Sequence, residues 1–90
     1  MGAGLTKILV VDDHDLVRMG IVRMLADIDG YQVVGDAKSG EEAVTKARTL
    51  LPDVVLMDVK MPGMGGLEAT KKLLVVNPTL KIIAVTACDD

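Results

Sequence analysis

Four short apolar runs alternate along the chain with longer stretches in which apolar residues recur every three or four positions. Lys7-Ile-Leu-Val-Val-Asp12 is unbroken and ends in acid, the pattern of a strand buried on both faces. Asp15 to Ile28 has helical spacing, with Gly30 as its closing residue. Tyr31 to Ala37 predicts a weaker strand, whose polar Gln32 places it near a sheet edge. Ser39-Gly-Glu-Glu42 has the form of a capping box for a helix running to about Leu51, and Pro52 stops that helix. Asp53-Val-Val-Leu-Met-Asp58 predicts a third strand, again apolar and again ending in acid. The turn-rich segment Lys60 to Gly66 leads into a helix over Leu67–Val76, which Asn77-Pro78 ends. Leu80 to Ala87 predicts a fourth strand.

Strand, helix, strand, helix with short connections implies parallel strands, right-handed crossovers and an open doubly wound sheet of the α/β class. Such a sheet wants helices on both faces, and three full helices serve four strands. The first helix sharpens the point. Between Leu16 and Ile28 only Arg18, Arg23 and Asp27 are charged, so its apolar band is wider than one sheet contact needs. Either another helix lies beside it or that surface is sticky.

Composition narrows the function classes. Half of the 90 residues are apolar and 26% are charged, which excludes a disordered tail. With no Trp, no Phe and one Tyr, the core is aliphatic and stacking platforms for single-stranded nucleic acid are missing. A net charge of −3 argues against a phosphate-backbone binder. The single cysteine, Cys88, excludes an internal disulfide and a thiolate metal cage, and fits a reducing, cytoplasmic setting. No apolar run reaches the ~18 residues of a membrane span.

The chemistry lies in aspartates. Asp12-Asp13 follows the first strand and Asp58 ends the third. In a doubly wound sheet ligands bind outside the carboxyl ends of the strands, where the winding reverses. If strands one and three are neighbours, three carboxylates converge there, and a hard divalent cation such as Mg²⁺ relieves their repulsion. A carboxylate beside Mg²⁺ can attack a phosphoryl group. The bland alternative, aspartates as turn formers, suits one strand end better than two. Gly63-Met-Gly-Gly66 lacks the G-x-G-x-x-G spacing of a dinucleotide site, and the acidic strand end before it repels pyrophosphate. Its glycines supply turn freedom, with Pro62 fixing one peptide. A phosphatase with an aspartyl nucleophile wants a second acid two residues on, where this chain has Lys60. His14 abuts the acid pair, where it could serve as a ligand or base, but reads first as a helix-entry residue facing solvent. Asp36 and Asp53 read as strand-end and strand-start residues without chemistry. Cys88 and the methionines read as bystanders or packing residues.

Ile8-Leu-Val-Val-Asp-Asp-His14, the segment Asp53-Val-Val-Leu-Met-Asp-Val-Lys-Met-Pro-Gly-Met-Gly-Gly66 and Ile82-Ile-Ala-Val-Thr86 resemble the receiver (response-regulator) domain of bacterial two-component systems. Asp-His-Asp-Leu-Val-Arg18 and Gly-Gly-Leu-Glu-Ala-Thr70 resemble its NarL/LuxR class, with global-activator (GacA/UvrY-type) regulators the nearest. The resemblance implies a flavodoxin-like doubly wound parallel sheet of order 2-1-3-4, and a phosphoacceptor role for Asp58, phosphorylated by a sensor histidine kinase. It implies Mg²⁺ held by Asp12, Asp13 and Asp58 with the backbone carbonyl of Lys60, and a Thr86 hydroxyl that hydrogen-bonds the phosphoryl group. Such a domain is a signalling module rather than a turnover enzyme.

Two family features have no counterpart in the ninety residues. The lysine and the aromatic switch residue of the fifth strand are missing, as are that strand and the fifth helix. Lys71, Lys72 and Lys81 sit in the wrong elements to replace the lysine, and Tyr31 lies on the second strand. The chain therefore reads as residues 1–90 of a C-terminally truncated receiver, without the DNA-binding effector domain through which the class contacts DNA. The rival expectation is a phosphorylation-impaired fragment that acts only as a self-associating module. The wide apolar band on the first helix predicts a homo-oligomer, with strand or helix exchange between chains as one route.

Overall fold

In the computed structural model, which describes residues 4–58 and 65–85, the apolar runs become strands and the periodic stretches helices. They follow in the order β1 (Thr6–Val11), α1 (Asp15–Ala26), β2 (Tyr31–Ala37), α2 (Gly40–Leu50), β3 (Val54–Asp58), α3 (Gly65–Val76) and β4 (Lys81–Val85). The strands form one sheet in the order β2-β1-β3-β4, every pair parallel. Tyr31–Ala37 is an edge strand, as the polar Gln32 predicts. The described part of the last strand ends at Val85; Thr86 and Ala87 lie outside the described residues.

Alternate residues of the central strands feed two cores. Leu9, Val11, Val55 and Met57 are fully buried against Ala43, Val44 and Ala47 of α2 and Ala69 and Leu73 of α3. Ile8 and Val10 pack on the other face with Leu25, joined by the half-buried Ile21, Val22, Val54 and Leu56. Among the described residues, two helices thus cover one face and α1 alone covers the other. Beside α1 a depression of about 360 Å³ opens over Ile8, Leu25, Tyr31, Val54, Leu56 and Ile83. The apolar excess of α1 is likewise exposed: Leu16, Met19 and Met24 all face solvent. The expectation that this helix carries more apolar surface than one sheet contact needs is met among the described residues.

β2 is irregular. Ile8 stands opposite Val33, but Leu9 stands opposite Gly35, so Val34 is the extra residue of a bulge. A Cβ built on Gly35 would come within 2.6 Å of Leu50 Cδ1, so glycine here lets α2 lie close on the edge strand.

Local chemistry sets the ends of α2. Ser39 Oγ accepts from the Glu42 N–H at 3.1 Å, as the capping box requires. Glu42 reaches back one residue further than the usual box, accepting from the Lys38 N–H at 2.8 Å. That hydrogen bond, helped by the Lys46 ammonium, holds the Glu42 carboxyl below the usual glutamate range. Leu51 closes the helix in the left-handed region, φ 50°, and the buried Pro52 prevents another turn.

Truncating Leu9 to alanine is expected to cost about 2–5 kcal/mol, whereas Leu16→Ala, at a side chain 86% exposed, should cost about 0.5 kcal/mol or less. Urea unfolding midpoints compare the two. Ser39→Ala should cost about 1 kcal/mol. Because the folded state lowers the Glu42 carboxyl, its stabilisation is complete above the usual glutamate range and fades as pH falls through the folded-state value. Unfolding midpoints measured down an acid series should lose that part of their slope in Glu42→Gln.

Candidate phosphoacceptor and metal site

Parallel pairing of β1 with β3 sets Val11 opposite Met57, so the residue after each, Asp12 and Asp58, stands at the same end of neighbouring central strands. Both are buried, at 4% and 9% exposure, and Asp13 is half-buried beside them. Asp12, Asp13, His14 and Asp58 each offer a ligand atom, and these atoms lie within 4.8 Å of one another. The convergence expected from two strands ending in acid is therefore present. Lys60 and Thr86, the other site residues expected from the family resemblance, lie outside the described residues, as do Met61, Pro62 and Cys88.

The backbone around the acid pair is held tightly. The Asp12 N–H donates to the Ala37 carbonyl at 3.0 Å, continuing the β1–β2 ladder past the strand end. Asp12 Oδ1 accepts from the His14 N–H at 2.8 Å, which folds the chain toward α1. His14 is the N-cap of that helix and its side chain makes no capping bond. Its imidazole is 70% exposed, as a helix-entry residue should be, yet Nδ1 lies 3.1 Å from Asp13 Oδ1 and 3.4 Å from Asp12 Oδ1. These contacts become ion pairs when the ring is protonated.

The donor set fits a hard divalent cation. Asp13 Oδ1 is buried and accepts no hydrogen bond among the described residues; its close contact with His14 Nδ1 is not aligned as one. A buried carboxylate oxygen in that state is costly unless a cation or water meets it. Oxygens around an octahedral ion at ~2.1 Å lie about 3 to 4.2 Å apart, so atoms within 4.8 Å need only a small closure to share one ion. Carboxylate oxygens, three of the four ligand atoms gathered here, suit a hard ion such as Mg²⁺.

A second polar cluster adjoins the first, and sequence reasoning missed it. Arg18, one of the three charged residues that interrupt the apolar band of α1, is 5% exposed. Its Nε donates to Asp36 Oδ2 at 2.7 Å, Nη1 to the Asp12 carbonyl at 2.9 Å and Nη2 to Asp15 Oδ1 at 2.8 Å. Asp36, expected to be a strand-end residue without a role, is one of its anchors. The hydrogen bond from Arg18 holds the Asp15 carboxyl below the usual range, and the same bond raises the guanidinium further above its own. The available signal was spacing: Arg18 shares an i, i+3, i+4, i+7 register with Ile21, Val22 and Leu25, the residues that α1 turns toward the sheet. Asp53 is structural, its Oδ2 accepting from the Lys7 N–H at 2.8 Å at the far end of the sheet.

Comparison with known proteins agrees with this geometry. The response regulator GacA of Pseudomonas syringae is 71% identical over 84 residues, 93% of this chain and 39% of that protein. The response regulator UvrY of Escherichia coli is 56% identical over 80 residues, 89% of this chain and 37% of that protein. The chain thus spans about two-fifths of the length of these relatives. Among solved structures, a LuxR-family two-component response regulator from Aurantimonas sp. superposes with a TM-score of 0.88 at 36% identity, covering 96% of this chain and 61% of the other. The receiver domain of a NarL-type regulator from Mycobacterium tuberculosis gives 0.87 at 33% identity, over 98% and 71%. No helix among the described residues is long and apolar enough to cross a membrane. The profile of the response regulator receiver domain matches residues 8–90, and with a parallel 2-1-3-4 sheet and an acid cluster at the ends of β1 and β3, the chain belongs to that family.

Proposed function

We propose that these ninety residues act as the phosphoacceptor module of a two-component transcription regulator, with Asp58 taking a phosphoryl group from the phosphohistidine of a sensor kinase. The observation that carries this reading is the gathering of Asp12, Asp13 and Asp58 within 4.8 Å at two adjacent strand ends. In the transfer a carboxylate oxygen of Asp58 attacks phosphorus, a P–O bond forms, and the P–N bond to the kinase imidazole breaks. The departing imidazole keeps the bonding electron pair and takes a proton from solvent. Asp12 and Asp13, with the Lys60 carbonyl, are the residues that would hold Mg²⁺. Once bound, that ion supplies charge neutralisation for the phosphoryl oxygens. The Thr86 hydroxyl would donate to a phosphoryl oxygen of the product. The domain makes one covalent change to itself rather than turning over a substrate, and contact with DNA belongs to an effector domain outside residues 1–90.

A small-molecule phosphodonor with Mg²⁺ should add one phosphoryl group, read by intact mass, and Asp58→Asn should abolish it. Asp12→Asn or Asp13→Asn should slow labelling about ten-fold or more. Labelling that persists in Asp58→Asn, or that ignores chelation of Mg²⁺, would overturn the assignment.

A second reading rests on a different surface. Leu16, Val17, Met19 and Met24 are 49–86% exposed on α1, and that face favours contact between two copies of the chain. Light scattering over a concentration series should show mass rising above that of a monomer, and the rise should be suppressed in Leu16→Glu/Met19→Glu. A monomer throughout the series would exclude this reading.

A further inference from the structure

Arg18 is the only buried cation among the described residues, and its place beside an acidic site demands an explanation. A guanidinium next to a cation-binding cluster repels the cation, so on Coulomb grounds its presence weakens the site. Its charge is met elsewhere, by Asp15 and Asp36, whose side chains are 66% and 47% exposed. Toward the site it offers no carboxylate contact that the structure shows. Instead Nη1 donates to the backbone carbonyl of Asp12.

That single bond has a geometric consequence. The direction of a carbonyl oxygen is set by ψ of its own residue, so holding the Asp12 carbonyl fixes the peptide that carries Asp13. The peptide on the other side of the Asp12 Cα is fixed by the 3.0 Å bond from the Asp12 N–H to the Ala37 carbonyl. Both torsions of Asp12 are then determined, and the His14 N–H holds one oxygen of its carboxylate. The fork that does this is itself clamped between Asp15 of α1 and Asp36 of β2, so it cannot swing without breaking two charge-assisted bonds.

We infer that Arg18 is a positioning residue for the cation site, fixing the Asp12–Asp13 peptide so that both carboxylates face Asp58. The inference rests on the phosphoacceptor reading above and concerns how its ligand set is held. It separates cleanly from a charge effect, because the two have opposite signs. Removing the guanidinium leaves the pocket more negative and should tighten Mg²⁺ by Coulomb attraction alone. Releasing the Asp12 carbonyl should loosen it.

The test is calorimetric titration of Mg²⁺ alone into the 90-residue chain, well below the unfolding midpoint of each variant as checked by circular dichroism. Arg18→Met removes charge and fork; Arg18→Lys keeps the charge and loses the planar fork. Leu80→Ala, at the opposite end of the sheet, serves as a destabilised control. Both Arg18 variants are expected to bind Mg²⁺ about ten-fold more weakly, while Leu80→Ala binds like the parent. Tighter or unchanged binding in the Arg18 variants overturns the inference and leaves the phosphoacceptor reading standing. An equal loss in Leu80→Ala, or unfolding of both Arg18 variants, also overturns it, since Arg18 would then support the fold alone. A parent chain that binds no Mg²⁺ overturns both.

Discussion

Two strands that run the same way and share a register must end at the same edge of their sheet. In this chain that constraint acts on β1 and β3, where Val11 faces Met57, and each strand's next residue is an aspartate. Neither strand could shift by one residue without sending Leu9, Val11, Val55 and Met57 to the wrong face. The apolar core therefore fixes the acid cluster. The site is a by-product of side-chain alternation that the two cores enforce from both faces of the sheet.

The electrostatic side follows from the same geometry. Like charges gathered by packing repel, and among the described residues the backbone around them is held by hydrogen bonds. Asp12 receives the His14 N–H, its carbonyl receives Arg18, and the Arg18 charge is passed outward to carboxylates that remain partly in water. The charge of Arg18 is thus compensated at the rim, away from the oxygens of Asp12 and Asp13. Such an arrangement favours an exchangeable hard ion over a permanent salt bridge.

Much of this was legible in the residues. The four apolar runs gave the strands because a doubly buried strand has nothing polar to offer, and two acids at run ends gave the site. The capping box at Ser39 was legible because its chemistry is local. What escaped was long-range or hidden by residue type. Arg18 was only counted as a charge within the first helix, and nothing local shows that Asp36, eighteen residues on, comes within 2.7 Å. The reach of Glu42 to Lys38 rather than to Ser39 depends on backbone angles at the helix entry. His14 was rightly placed both at the mouth of α1 and beside the acid pair, and only the aim of its ring at the two carboxylates depends on how the Asp12–Asp13 turn closes.

The bulge at Val34 carries a consequence for the whole polar cluster. In a regular strand, residues three apart lie on opposite faces, so Val33 and Asp36 should diverge. Val33 nevertheless packs with Ile8 and Leu25 on the α1 side, and Asp36 meets Arg18 on that same side, while Ala37 joins the α2 and α3 core. One inserted residue has reversed the parity of the strand. It does so at the outermost position of the sheet, where the central ladder need not yield. Were Val34 paired in a regular strand instead of bulged, Asp36 would share a face with α2, and the guanidinium would have no carboxylate on β2 to hold it. A miscount of one in an edge strand is what brings the anchor to the right side of the sheet.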